Sequence, residues 1–310
     1  MLTDSLKIAI YGISDVGMSR EHNEDSISWD NDLGLVMLAD GMGGHNAGEV
    51  ASEMAVTSIR DALLDVLTPE MIATGVIKCP DAVRESVVYA NEEIYEQAQT
   101  RVECSGMGTT VVLGLFHENH ITYANVGDSR IYRIRNGELK QITQDHSLVQ
   151  EMVDNGYLSE DEAMISTSRN LITRALGISP EVEVDVATEE IDVDDIFLLC
   201  SDGLTDMVSD VDIQATINEC SSDMDHCLKQ LVSKANEAGG NDNISIILIT
   251  LHESFSDDRG LPPGASQEIE DDNTIEEEIP VNDATIEVDV PENDEPAKDK
   301  SSEDKRAEDE

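Results

Sequence analysis

Aromatic residues are scarce in this chain of 310 residues, with one Trp, three Phe and six Tyr. A core built on large rings is therefore excluded, and aliphatic side chains must fill it. Cysteine is also sparse. The five (Cys79, Cys104, Cys200, Cys220, Cys227) follow neither a metal-finger spacing nor a disulfide-framework pattern, so they read as reduced, mostly buried thiols. No Cys/His cluster competes for zinc. The start lacks a basic n-region followed by an apolar h-region, and no apolar run approaches the about 18 to 20 residues that span a bilayer. The expected compartment is the cytoplasm, with no membrane partner. Basic residues are few as well: 19 Lys and Arg face 67 Asp and Glu, a net charge of -48. Such a surface repels nucleic acid and anionic lipid and favours cations or basic partners, although solubility in a salty cytoplasm explains the charge of the body equally well.

Aliphatic runs take the place of the missing rings. "LGLVML", "TTVVLGLF", "IFLLC" and "ISIILI" are short, bounded by Gly and Asp, and read as buried strands. Two amphipathic helices are expected early, one from about Ala47 to Leu67 and one starting at a capping Asp81. A second pair is expected late, around Val211 to Cys220 and Asp225 to Ala238. "HITYANVGDSRIYRIRNGELKQIT" alternates and turns at Asn136-Gly137, a hairpin signal. Strands interrupted by helix pairs argue for an α+β sandwich of sheets covered by helices, not a parallel βαβ fold. From about Ser254 the text is rich in Glu, Asp, Pro and Ser, and it cannot bury enough apolar area to offset its ordering entropy. The expected division is a body over 1-252 and a disordered acidic tail over 253-310.

Aspartates stand where strands end. Asp40 closes "LGLVML-A", Asp128 closes "ITYANVG", Asp202 closes "IFLLCS", and Asp242 directly precedes "ISIILI". Neighbouring antiparallel strands place such positions on one rim of a sheet, so four carboxylates are expected to converge there. Carboxylates at close quarters repel and hold their protons unless a cation neutralises them. Oxygen-only ligation favours hard ions, Mg²⁺ or Mn²⁺. The glycines of "DGMGG" let the backbone approach such a ligand, so that the Gly41 carbonyl can ligate beside Asp40.

Eight short stretches add a second line of inference. "SDVGMSREHNEDS", "LADGMGGHNAGEVAS", "GMGTTVVLG", "ANVGDSRIYRI", "ITQDHSLV", "NLITRALG", "LLCSDGLTDMVSD" and "GGNDNISIILI" resemble, in order, the motifs of the metal-dependent protein serine/threonine phosphatases of the 2C (PPM) type. The resemblance covers residues 8 to about 251 and is strongest to compact bacterial members. It implies an α-β-β-α sandwich of two antiparallel sheets flanked by helix pairs, with a flap at about 147-170. It also implies hydrolysis of phosphoserine and phosphothreonine in proteins, opposing a Ser/Thr kinase, by a monomer.

Carried over by position, the resemblance places two Mn²⁺ or Mg²⁺ ions. Asp40 would bridge them with the Gly41 carbonyl on one, while Asp202 and Asp242 complete the other. Asp128, with Asp202, would hold a third, looser metal. Glu24 and Asp25 would act through metal-bound waters, Arg20 would hold the substrate phosphate, and His45 would be the general acid. The chemistry suits these roles. Two metals sharing a water lower its pKa enough to supply hydroxide as nucleophile, a guanidinium grips two phosphate oxygens, and a histidine near neutrality can protonate the leaving oxygen.

Plainer roles compete for the same residues. His45 can cap the helix that follows, Arg20 can be a surface ion pair, Asp128 a turn residue, and Glu24 and Asp25 solvated charges. Asp145 and His146 read as loop-closing hydrogen-bond groups. A catalytically weak binding module and a phosphatase of small phosphate esters are the rival functions. In the tail, "NTIEEEIP" and "ATIEVDVP" place Thr274 and Thr285 in matching acidic settings. They are either low-complexity drift or a doubled motif for a cognate kinase or a phosphothreonine-binding adaptor.

Overall fold

The computed structural model describes residues 6–44, 47–67, 78–159, 162–163, 166 and 171–253. The acidic tail, with Thr274 and Thr285, and residues 160–161, 164–165 and 167–170 of the flap lie outside the described residues.

Why are the strand sequences continuously apolar instead of alternating? Strand β3 (Leu35–Met42) supplies the answer. Leu35, Met37 and Ala39 face two helices, α1 (Ala47–Val66) and α2 (Cys79–Thr100), while Val36 and Leu38 face a second sheet. Both faces are covered, so both need apolar side chains. The first sheet takes the order β2-β3-β5-β6-β9, with the short β4 on β3. Its other members are β2 (Asp25–Asp30), β4 (Gly108–Thr109), β5 (Val111–His117), β6 (His120–Val126) and β9 (Asp185–Glu190).

The second sheet, in the order β1-β11-β10-β7-β8, obeys the same logic. It comprises β1 (Leu6–Asp15), β7 (Arg130–Arg135), β8 (Glu138–Gln141), β10 (Ile196–Cys200) and β11 (Ile244–Glu253). Along β11, Ile244, Ile246 and Leu248 pack under the late helices, whereas Ile247, Ile249 and Leu251 enter the space between the sheets. Phe116 of β5 and Phe197 of β10 meet there edge to face at 5.4 Å between ring centroids. The strand pairs are antiparallel throughout. The expected α-β-β-α sandwich is thus the observed fold, with one core between the sheets and one beneath each helix pair.

Helix boundaries follow local chemistry. On α1 the residues Ala51, Ala55, Ile59 and Leu63 recur at helical spacing and meet Val83, Val87, Ala90 and Ile94 of α2. Helix α2 starts two residues before the expected Asp81 cap. Lys78 stands at the N-cap without a side-chain bond, Pro80 occupies the first turn, and Asp81 lies inside the helix as a first-turn acid. A short α3 (Leu148–Asp154) opens the flap, capped by the Ser147 hydroxyl, which accepts from the Gln150 amide. It is followed by Gly156 at φ 72°. The base of the flap is closed by Leu148 N–H donating to the Leu171 carbonyl at 2.8 Å. Helix α4 (Asp202–Thr205) is a single turn. Helices α5 (Asp210–Cys220) and α6 (Met224–Glu237) begin at Ser209 and Asp223, each capping its own first turn.

The β7-β8 hairpin turns at Asn136 and Gly137, both at positive φ (53° and 79°), as a two-residue primed turn requires. The expectation of five reduced thiols is corrected. Cys220 and Cys227 form a disulfide, because the tight turn between α5 and α6 brings their Cα atoms to 5.4 Å; Cys79, Cys104 and Cys200 remain free. No helix among the described residues is long and apolar enough to cross a membrane.

Candidate metal and phosphate site

The expected carboxylates come together, though not on the rim of one sheet. Asp40, two residues before the end of β3, and Asp128 after β6 come from the first sheet, while Asp202 after β10 and Asp242 before β11 come from the second. The stacked sheets present these ends side by side, which strand order within a single sheet does not reveal. Asp25, the first residue of β2, stands directly opposite Asp40 in the β2-β3 register.

The electrostatics of the cluster are dominated by burial, then by mutual repulsion. Desolvation, followed by the charges of Asp25, Asp202, Asp128 and Asp242, holds the Asp40 carboxyl well above the usual carboxylate range. Desolvation, followed by Asp128, Asp242 and Asp206, does the same to Asp202. Burial pushes Asp25 up to about 6, and burial followed by Asp145 pushes Asp128 up to about 6. Burial also raises Glu24, against the pull of Arg20. Three carboxylate oxygens, Glu24 Oε1, Asp25 Oδ1 and Asp202 Oδ1, are buried with no hydrogen-bond partner among the described residues. Buried anionic oxygens left bare and raising one another's proton affinity form a donor set that suits a hard divalent cation.

The carboxylates do not form a closed cage. Among the described residues no three His, Cys, Asp or Glu side chains enclose a single point as an ion-ready set. Asp25 Oδ2 accepts from the Ser201 hydroxyl at 2.9 Å, and Asp242 Oδ2 accepts from Arg20 Nη2 at 2.6 Å. Open sites of this kind suit ions that keep several waters in their shell.

The bare backbone after Asp40 has a steric cause. A Cβ on Gly41 would lie 2.2 Å from the Gly48 carbonyl oxygen and 2.5 Å from that of Glu24, and a Cβ on Gly48 would lie 2.7 Å from Glu24 Oε1. The start of α1 therefore packs on the β2-β3 ends only because both positions are glycine. On the other sheet, a Cβ on Gly203 would lie 2.0 Å from the Asn243 carbonyl oxygen. That contact seats the Asp202 turn against the Asp242-Asn243 peptide.

Arg20, expected to hold phosphate, stands at the mouth of the cluster with its side chain 46% exposed. It lies 2.6 Å from Asp242 Oδ2 and 3.8 Å from Glu24 Oε2. These contacts are the ion pairs of the plainer reading. His45 lies outside the described residues, between Gly44 and Ala47. Asp145 and His146 close a loop, as expected. Asp145 receives Arg130 and Gln141 (2.7 to 3.0 Å), while His146 Nδ1 accepts the Gly127 amide at 3.1 Å beside Asp128. Sequence reasoning missed Ser201 and Asn243, whose polar atoms tie the two sheets' contributions together. Each is adjacent to a singled-out aspartate, and that adjacency is the one signal the sequence offered.

A family profile described as protein phosphatase 2C matches residues 18–248. The chain belongs to the protein phosphatase 2C family. Among curated relatives, "Serine/threonine phosphatase stp" of Listeria monocytogenes is 38% identical over 242 residues, spanning 76% of this chain and 93% of that protein. "Protein phosphatase PhpP" of Streptococcus pneumoniae is 38% identical over 250 residues, spanning 78% and 96%. The crystal structure of the serine/threonine phosphatase PstP/Ppp of Mycobacterium tuberculosis superimposes with a TM-score of 0.71 at 36% identity, covering 80% of this chain and 99% of that one. A structure of the catalytic domain of PstP in complex with two manganese ions gives 0.70 at 34% identity, with the same coverage.

Proposed function

We propose that this 2C-type serine/threonine phosphatase hydrolyses phosphoserine and phosphothreonine in proteins at the carboxylate cluster, opposing a serine/threonine kinase. The phosphatase body is the part up to about residue 252. The observation that carries the reading is the set of buried, mutually repelling carboxylates, three of whose oxygens find no partner among the described residues. Asp40, the Gly41 carbonyl, Asp202 and Asp242 would hold two Mn²⁺ or Mg²⁺ ions, Glu24 and Asp25 would act through water, and Asp128 with Asp202 would hold a third ion. When bound, such ions supply an activated water at neutral pH and neutralise charge on the phosphoryl group.

The chain's own residues do the rest. Arg20, whose guanidinium already lies over the cluster, exchanges Asp242 for the phosphate oxygens and orients the ester. The low-dielectric floor of the site, between Asp25, Asp40 and Ser201, keeps this charge pairing unscreened by bulk water. His45 delivers a proton to the departing seryl or threonyl oxygen. Turnover of a phosphothreonine peptide should vanish in excess chelator, return with Mn²⁺, and exceed turnover of ATP. Full activity in chelator would end the metal assignment, and a preference for ATP would end the protein-substrate assignment.

The acid role makes its own prediction. His45→Ala should lower kcat on the phosphopeptide by about two orders of magnitude, the usual contribution of a positioned acid, yet spare p-nitrophenyl phosphate, whose leaving group hardly needs a proton. Equal losses on both substrates would contradict it.

A further inference from the structure

We infer that Asn243 is a positioning residue that holds the segment carrying Arg20 and Glu24 onto the site. This rests on the reading of Arg20 as the phosphate-holding group. Residues 16 to 24 run from the end of β1 to the start of β2 as a largely exposed loop, with Met18 at 70% exposure. One buried side chain anchors it from beneath. Asn243, 3% exposed, accepts the Glu24 amide on Oδ1 at 2.8 Å and donates through Nδ2 to the carbonyls of Val16 (2.9 Å) and His22 (3.0 Å). Each end of the loop is thus held by the same amide, with Arg20 between the held points.

The backbone of Asn243 faces the other candidate ligands. Its N–H donates to Asp242 Oδ1 at 2.8 Å, and its carbonyl abuts Gly203 beside Asp202 and receives the Ser201 hydroxyl at 3.4 Å. One residue therefore sets the distance between the Arg20 loop and the aspartates of the second sheet. The residue type follows from the partners. Two carbonyls demand donors and one N–H demands an acceptor, a combination that a primary amide supplies and a carboxylate does not. The loop has other ties: Gly240 O accepts from Met18 and Ser19 (2.8 and 3.1 Å), and Asn23 bridges Ser14 and the Asp25 amide. Loss of the Asn243 amide should therefore loosen the loop without unfolding the sandwich.

The experiment uses the full chain loaded with Mn²⁺ and compares wild type, Asn243→Ala, Arg20→Ala and the double variant. The readouts are hydrolysis of phosphothreonine peptide and inhibition by inorganic phosphate. Asn243→Ala should raise KM and the phosphate inhibition constant about tenfold, the scale of one lost buried hydrogen bond, with a smaller fall in kcat. On the Arg20→Ala background it should raise neither further, because the two act as a unit. Additive losses in the double variant, or a fall in kcat with KM unchanged, would overturn the inference.

Hydrogen exchange of residues 16 to 24 reads the clamp directly, and it separates this inference from the reading of Arg20. Exchange there should speed up in Asn243→Ala, or in Asn243→Ser should the alanine variant fail to fold, while β11 stays protected. Unchanged exchange in the loop overturns the clamp. An Arg20→Ala protein with unaltered phosphate inhibition overturns the phosphate assignment of Arg20, and with it the proposed purpose of the clamp.

Discussion

Asp40→Asn is expected to lower kcat on a phosphothreonine peptide by at least about a thousandfold, the scale on which removing a group that stabilises transition-state charge is felt, while raising the thermal midpoint of the metal-free protein. The two effects have one cause. Asp40 is enclosed by Asp25, Asp202, Asp128 and Asp242, whose charges, after desolvation, hold its proton. Replacing it removes a proposed ion ligand and, without metal, removes the cost of either holding a proton there or charging the cluster further. The backbone does not depend on the carboxylate: the Asp40 carbonyl accepts from Thr109 Oγ1 (2.8 Å) and the Thr110 amide (2.9 Å), and its N–H donates to Thr110 Oγ1 (3.1 Å). The substituted amide also brings N–H donors beside Asp25, whose Oδ1 is buried with no partner among the described residues. Each kcal/mol of that cost removed raises the midpoint of a domain this size by roughly 2–4 °C. A lower midpoint in chelator would show that the carboxylate supports the fold, and a kcat above a tenth of wild type would remove Asp40 from the metal site.

The aspartates were visible in the sequence because each borders an aliphatic run, and Asp40 and Asp202 are marked a second time by the glycines that follow them. What strand order could not show is that two sheets share the site. β3 and β6 lie in one sheet and β10 and β11 in the other, and their meeting depends on stacking, which side-chain periodicity does not encode. The continuous apolar runs were the hint, since a strand apolar on both faces must be covered on both. Asn243 stayed hidden for a different reason. Its importance lies in three hydrogen bonds to main-chain groups, and main-chain partners leave no trace in residue identity. The disulfide was missed because a separation of seven positions between Cys220 and Cys227 matches no familiar framework, whereas the tightness of the turn between α5 and α6 is a tertiary fact. The start of α2 was misplaced because a proline in the first turn outcompeted an aspartate as the helix signal.

The metal-free protein should be more stable near pH 5.5 than at pH 8, and Mn²⁺ should reverse that order. Asp25 and Asp128 are pushed up to about 6 by burial, and Asp40, Asp202 and Glu24 are raised by burial as well. In the unfolded chain the same carboxyls titrate near about 4. Between those limits the folded state binds more protons than the unfolded one, so stability is lost as pH rises from about 4 through the raised folded values. His117 and His146 pull the other way: burial lowers both, so the stability they contribute is lost as pH falls through about 6.5 and below. The carboxyls outnumber them, and the net charge of -48 adds self-repulsion as pH rises. Saturating Mn²⁺ replaces the protons. At a hundredfold excess over Kd it contributes about 2.7 kcal/mol, on the order of 5–10 °C in a domain of this size. Because ligand carboxyls must shed protons to bind, the increment should be large at pH 8 and small at pH 5.5. Differential scanning calorimetry at the two pH values, with Mn²⁺ and with chelator, measures all four midpoints. A chelated midpoint that rises from pH 5.5 to pH 8 would show that the cluster does not carry the mutual repulsion argued here, and equal Mn²⁺ increments at both pH values would place the ion away from these carboxylates.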